Sequence, residues 1–149
     1  MAFLDLRGGE RRLARRRRRP QVSQADSCLG WHLLADLHGV PADRLRDGAA
    51  LESLLRRAAV QAGARVLASR FHAFGPGCGI TGLVLLAESH ISIHTWPECG
   101  VAAADIFMCG TADPNVALAV LLGELCPAGR HITSVARGRM QQTDVRHVT

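Results

Sequence analysis

Apolar residues recur along the chain with two different periods, which predict its helices and strands. Between residues 43 and 62, leucines and alanines return every three or four positions, as on the buried stripe of an amphipathic helix. A second apolar helix is predicted after Asp113-Pro114, because aspartate favours the N-cap and proline the first turn. Shorter apolar runs bounded by turn residues or charges are typical of strands. They lie at residues 30–40, 64–74, 83–87, 91–96, 102–108 and 130–138.

The predicted order is β-α-β-β-β-β-α-β. Strands that follow one another through short links pair antiparallel, and two helices are too few to cover both faces of such a sheet. We therefore expect an α+β fold, a two-layer α/β sandwich with both helices on one face. The opposite face keeps apolar surface, and a sheet-to-sheet homodimer is the simplest way to cover it.

Alternation predicts which side chains share a face in the strand at 64–74. It places Val66, Ala68, Arg70 and His72 together, with Leu67, Ser69 and Phe71 on the other face.

Charge divides the chain into an arm and a domain. The net charge is +5, but residues 1–20 hold eight arginines against Asp5 and Glu10, so they carry 8 − 2 = +6 and the remainder carries 5 − 6 = −1. Such a run cannot bury itself, so residues 1–27 are predicted to form a disordered arm and residues 28–149 the folded domain. The arm supports nonspecific phosphate contact and no specific nucleic-acid partner. No stretch has the length of a secretory signal or a membrane span, which predicts a cytoplasmic protein without membrane contact.

The five cysteines have no spacing that points to a disulfide framework or a metal site. Their number is odd and no CxxC pair occurs, so most are expected to be buried thiols. A zinc site made of His90, His94, Cys99 and Cys109 can be drawn, but nothing in the spacing selects four ligands. We expect no metal.

The segment "LLAESHISIHTWPE", residues 85–98, holds the candidate chemistry. A strand stops at Glu88-Ser89-His90 and another begins at once, without glycine, proline or asparagine to make the turn. A triad nucleophile lacks its GxSxG elbow here, while a turn serine followed by a sheet histidine is equally compatible with the spacing. The glycine-rich "GPGCGITG" at 75–82 is followed by a strand, so it lacks the helix N-terminus that a phosphate loop requires.

Residues 87–98, "AESHISIHTWPE", closely resemble the short prokaryotic S-adenosylmethionine decarboxylases. The segments "HLLADLHGV", "GARVLASRFHAF", "GITG" and "AAADIFMCG" continue the resemblance in collinear order from about residue 30 to residue 137. It implies a proenzyme that cuts itself between Glu88 and Ser89 into a β chain, 1–88, and an α chain, 89–149. Ser89 would become a pyruvoyl group, the organic cofactor that forms a Schiff base with the substrate.

The resemblance also implies roles for other residues. His94 would be the proton acceptor in processing, Thr81 the processing hydroxyl that is usually a serine, and Cys109 the proton donor in catalysis. Phe74 and Glu98 would contact adenine and ribose of the substrate. Two departures are visible: "FGPGCGIT" is one residue longer than the usual spacing, and "PECGV" replaces the usual "PEYGY".

The implied activity is decarboxylation of S-adenosylmethionine to the aminopropyl donor for spermidine, by a homodimer of processed protomers. Some archaeal relatives with this core decarboxylate arginine, so a pyruvoyl-dependent arginine decarboxylase is the alternative. A nucleic-acid binder with a degenerate core is disfavoured, because Glu88, Ser89, His94 and Cys109 are all intact.

Overall fold

A computed structural model describes residues 28–139, so the predicted arm, 1–27, lies outside the described residues. The element order agrees with the order predicted from the sequence. The elements are β1 Gly30–His38, α1 Gly48–Gln61, β2 Val66–Ala73, β3 Ile80–Leu86, β4 Ser89–Trp96, β5 Val101–Cys109, α2 Pro114–Leu125 and β6 Gly129–Arg137.

The strands form one six-stranded sheet in the order β2-β3-β4-β5-β1-β6, and every neighbouring pair is antiparallel. The two helices pack against each other and on the same face of the sheet, which confirms the predicted two-layer α+β sandwich. The core between the layers is almost entirely aliphatic, as the scarcity of aromatic residues requires. Its fully buried side chains include Leu37, Leu45, Leu54, Leu55, Ile91, Ile93, Ile106 and Leu121.

Helix α1 begins later than the apolar period predicts. The predicted start at Asp43 is wrong, because residues 42–46 form a turn and Asp47 is the N-cap, accepting a hydrogen bond from the Ala50 amide at 2.9 Å. Leu45 remains fully buried although it lies in the turn. The apolar period therefore extends into the turn before the helix, and for this reason it predicts too early a start.

A bulge in β2 changes which of its side chains face the helices. The register with β3 shifts between Val66 and Ala68, so that Val66 packs against the core while Ala68 and Arg70 project from the opposite face. The predicted grouping of Val66 with Ala68 is wrong, since one extra residue in a strand reverses the alternation that follows it.

The expectation that most cysteines are buried is also wrong. Cys78, Cys99 and Cys126 are exposed, Cys28 and Cys109 are half-buried, and all five are free thiols. Each lies in a loop, in a turn or at the end of an element, where packing does not enclose it. Among residues 28–139, no helix is both long and apolar enough to cross a membrane.

The face of the sheet opposite the helices is uncovered, and we call it the open face. Alternation along the strands places polar and apolar side chains there together. Five large apolar side chains on it are each more than a third exposed: Leu34, Leu83, Leu85, Trp96 and Val135.

Candidate active site

The Glu88–Ser89 bond lies in the tight hairpin that joins β3 to β4. Only Ala87 and Glu88 connect the two strands, and Glu88 has a φ of 65°, in the left-handed region that glycine or asparagine normally occupies. For a residue with a Cβ this conformation costs about 1–2 kcal/mol. Where the sequence offers no glycine, proline or asparagine for the turn, the structure places Glu88 in a strained backbone conformation. Glu88 directly precedes the bond at which the resemblance implies self-cleavage.

Ser89 begins β4 with its side chain on the helix-covered face. It is 9% exposed and alternates with the buried Ile91 and Ile93. Its hydroxyl donates a long hydrogen bond, 3.3 Å, to the carbonyl oxygen of Ala87. The hydroxyl is therefore held back along the turn, close to the Glu88 carbonyl that precedes it.

Cys109 is the last residue of β5, at the same end of the strands as this hairpin. His90 pairs with Phe107 in the last pair of the β4–β5 ladder at this end, so Cys109 lies two residues beyond it, near the start of β4. The thiol leans over Gly30 of β1: a Cβ on Gly30 would lie 2.8 Å from its Sγ and 2.9 Å from the Phe107 ring. Cys109 is on the open face, so before any cleavage its side chain and that of Ser89 project from opposite faces.

Thr81 and His94 lie opposite each other on β3 and β4, near the other end of these strands. The threonine Oγ1 and the histidine Nδ1 are 2.9 Å apart and form a half-buried hydrogen bond on the open face. If the ring donates Nδ1–H to the threonine oxygen, Nε2 keeps its lone pair and can accept a proton. The structure therefore brings together the two residues assigned to processing by the resemblance.

A cavity of about 590 Å³ surrounds this pair, and both predicted substrate contacts, Phe74 and Glu98, line it. Phe74 is 65% exposed and free to stack on a ligand. The extra residue of "FGPGCGIT" is absorbed in the loop, because the Phe74 amide still closes it by donating to the Gly79 carbonyl oxygen at 3.1 Å. We call this cavity the cleft.

Trp96 also lines the cleft, and the sequence analysis missed it. Its ring lies 6.4 Å from the His94 ring at an interplanar angle of 31°. The signal was available, since Trp96 stands two residues after His94 and a strand places residues i and i+2 on the same face.

The cleft and the cleavage hairpin are not adjacent within one protomer. His94 follows Ser89 by five residues of continuous strand, which at ~3.3 Å per residue separates them by roughly 16 Å. The structure thus forms two half-sites, the cleft with Thr81 and His94 at one end and the hairpin with Cys109 at the other.

A chain of polar side chains crosses the open face between β6 and β4. Arg137 Nη1 donates to Nδ1 of His32 at 3.1 Å, and Ser92 donates to Oδ2 of Asp105 at 3.1 Å. His32 Nε2 faces Asp105 Oδ1 at 3.5 Å, too far for a good hydrogen bond, and has no closer partner among the described residues. Burial lowers the pKa of His32, and nearby His90 and Arg137 lower it further against the opposing effect of Asp105.

Within residues 28–139, no three histidine, cysteine, aspartate or glutamate side chains come close enough together to hold a metal ion.

The arrangement of helices and strands is similar to that of a solved decarboxylase. The crystal structure of the adenosylmethionine decarboxylase from Aquifex aeolicus superimposes with a TM-score of 0.71 at 38% identity, over 78% of this chain and 96% of that one. This likeness in fold and sequence places the chain among small α+β decarboxylases.

Sequence relatives narrow this class to one family. S-adenosylmethionine decarboxylase proenzymes from Moorella thermoacetica and Methanococcus aeolicus are 40% and 43% identical over 112 and 113 residues, covering 89% and 96% of their own lengths and 74% and 75% of this chain. The family model described as S-adenosylmethionine decarboxylase matches residues 31–138. The chain belongs to the S-adenosylmethionine decarboxylase family, which confirms the resemblance noted in the sequence.

Proposed function

We propose that the chain is a proenzyme that cleaves itself between Glu88 and Ser89 and then decarboxylates S-adenosylmethionine. The observation that carries this proposal is the left-handed φ of Glu88 directly before a serine whose hydroxyl is folded back along the turn. The names of the relatives, which are proenzymes, support it.

In the proposed processing, Ser89 Oγ attacks the Glu88 carbonyl carbon, and the amide C–N bond breaks as an ester forms. Removal of the Ser89 Cα proton then expels the Glu88 carboxylate and leaves a dehydroalanine, which takes up water and releases ammonia. The new chain end carries a pyruvoyl ketone in place of an amine. When formed, this ketone supplies the electron sink for loss of carbon dioxide.

The residues present fit such a group. Cleavage frees the start of β4 from the hairpin, so the new end can turn from the helix-covered face toward the open face that holds Cys109. There the thiol, seated over Gly30, can return a proton to the α-carbon of the product. In the cleft, Phe74 and Trp96 offer aromatic surface for adenine, and the Glu98 carboxylate can accept two hydrogen bonds from the ribose hydroxyls.

The two half-sites are joined if two copies pack their open faces together. The roughly 16 Å between His94 and Ser89 exceeds any proton transfer within one protomer. A two-fold, face-to-face homodimer running in opposite directions sets the cleft of one copy over the hairpin of the other. The exposed apolar side chains of the open face, with the charge-balanced Arg137 and Asp105, are suited to such burial.

The product is the aminopropyl donor from which spermidine is made. Arginine, the alternative substrate, has neither adenine nor ribose to fill the cleft, so no contact there favours it. The five free thiols are compatible with the reducing cytoplasm predicted from the sequence.

An intact mass spectrum of the purified protein tests the cleavage. We expect chains 1–88 and 89–149, the second with a pyruvoyl end that blocks Edman degradation. Ser89→Ala should give one uncut chain, since no nucleophilic oxygen remains. Cleavage persisting in that variant refutes the proposal.

Release of labelled carbon dioxide from carboxyl-labelled substrates tests the activity and its specificity. We expect release from S-adenosylmethionine, and Glu98→Gln should lower kcat/KM for it by about 10- to 100-fold, corresponding to about 1.5–3 kcal/mol for a hydrogen bond to a charged group. Release of carbon dioxide from arginine at an equal or higher rate would establish the alternative activity instead.

A further inference from the structure

The hydroxyl of Thr95 lies on the helix-covered face of the sheet, where it links three segments of the chain. Its side chain is 4% exposed, and Oγ1 accepts a hydrogen bond from the Ile80 amide at 2.8 Å. The same hydroxyl donates to the carbonyl oxygen of Leu45 at 2.8 Å. One buried oxygen thus connects β4 to the first residue of β3 and to the turn before α1.

The backbones of β3 and β4 approach closely at this point. A Cβ on Gly79 would lie 1.9 Å from the carbonyl oxygen of Thr95, so no other residue fits there without moving one strand. Gly79 does not have a positive φ, so it supplies space and not conformational freedom. The entry to β3 is therefore seated directly against β4.

Thr95 and its hydrogen-bond partner Ile80 are the immediate chain neighbours of His94 and Thr81, the two residues assigned to processing. Ile80 precedes Thr81, and Thr95 follows His94. Because strand side chains alternate, the Thr95 hydroxyl points to the helix side and the Thr81–His94 pair to the cleft. Thr95 is part of the cleft lining, but its hydroxyl is turned away from the cleft and is engaged by Ile80 and Leu45. That hydroxyl therefore fixes the position of β3 relative to β4.

We propose that Thr95 is a positioning residue for self-cleavage: its buried hydroxyl holds Thr81 and His94 in the register that leaves Nε2 of His94 free to accept a proton. This inference rests on the proposed role of His94. Thr95 acts only through that pair, and a defect at Thr95 should therefore appear in the rate of maturation.

Two substitutions separate the hydroxyl from the packing. Thr95→Val keeps the shape and removes both hydrogen bonds, and we expect cleavage to slow by about 10- to 100-fold, as for buried hydrogen bonds lost where they are needed. Thr95→Ser keeps the oxygen and removes a methyl group, which lowers stability, but its cleavage rate should stay within about threefold of the original. Ser53→Ala is the control, because it removes an exposed hydroxyl from α1, in the layer away from the open face.

The rates are measured by following intact mass after cell-free synthesis of the full chain, with the thermal midpoint recorded for each variant. The opposite order, with Val fast and Ser slow, shows that only packing matters and overturns the inference. If the Val variant does not fold, a Thr95→Ser rate reduced tenfold or more overturns it equally.

A double-mutant comparison distinguishes this inference from the function on which it rests. If Thr95 acts through His94, then adding Thr95→Val to His94→Ala should slow cleavage no further than His94→Ala alone. Independent, multiplying effects contradict the positioning role. Full-rate cleavage in His94→Ala contradicts the proposed role of His94 itself, whatever Thr95 does.

Discussion

At the residue scale, each half-site depends on what stands next to its reactive group. Cys109 owes its place to Gly30, whose missing side chain leaves the space into which the thiol leans. Gly30 does not have a positive φ, so this glycine too contributes space and not an unusual backbone. The thiol is thereby held over Gly30 at the end of β5.

Replacing Cys109 should separate maturation from turnover. Cys109→Ala is expected to be cut normally, because the thiol is assigned to product protonation, while carbon dioxide release falls by about 100-fold or more, as for loss of a general acid. Mass spectrometry and labelled release measure the two effects on one sample. Cys126→Ala, at an exposed helix end, is the control. An uncut Cys109→Ala chain shows that the thiol acts earlier than proposed.

At the element scale, the hairpin between β3 and β4 holds backbone strain at the proposed cleavage bond. Ala87 and Glu88 must turn the chain, and Glu88 adopts a positive φ to do so. Among the described residues, one other non-glycine residue has a positive φ: Cys126, with a φ of 47°, at the C-cap of α2, where a left-handed residue commonly ends a helix. Within the β3–β4 hairpin, the strain lies at Glu88.

Relieving that strain should slow self-cleavage. Glu88→Gly adopts φ of 65° at little cost, so up to about 1–2 kcal/mol no longer favours breaking the bond, and the rate should fall by up to about 5- to 30-fold. Glu88→Ala removes the carboxylate but keeps the strain, so it serves as the reference for the glycine variant. Time courses of intact mass give both rates. Equal rates in Gly and Ala would show that the turn contributes nothing through strain.

At the scale of the whole molecule, the open face brings polar chemistry and exposed apolar surface together. The polar chain from Arg137 through His32 to Asp105 and Ser92 spans four of the six strands. Arg137 donates to Nδ1 of His32, so that nitrogen must be unprotonated to accept. The face is accordingly built around a neutral histidine.

This arrangement predicts loss of stability in mild acid. The folded state lowers the pKa of His32 below its usual 6.5, mainly by burial. As the pH falls below 6.5, the unfolded chain binds a proton at His32 that the folded chain does not yet bind. The free energy of unfolding should therefore fall with pH until the lowered pKa of the folded state is passed. Urea midpoints between pH 8 and pH 5 measure it. In His32→Asn this part of the pH dependence should be smaller; an unchanged profile would assign it to other groups.

Mixing two variants that are defective in processing tests whether the half-sites meet across a dimer. His94→Ala keeps Ser89 but lacks the base, and Ser89→Ala keeps the base but cannot be cut. Co-expressed, the His94→Ala chain should be cleaved by the His94 of its partner, restoring about half of the normal yield of cut chain in mixed dimers. Distinct affinity tags and mass spectrometry identify which chain was cut. Failure of mixed dimers to cleave places both groups in one protomer.

The sequence by itself determined the element order, the sandwich class, the α2 cap and the family motif, because apolar periods and turn preferences act over a few residues. Only the tertiary structure decided the β2 bulge, the start of α1 at Gly48, the place of Trp96 in the cleft and the exposure of the cysteines. It also decided the distance that matters most. Ser89 and His94 are close in sequence, but an extended strand carries them to opposite half-sites, while pairing between strands brings Thr81 to His94 across 13 positions. Such proximities depend on register and packing, which no local pattern contains.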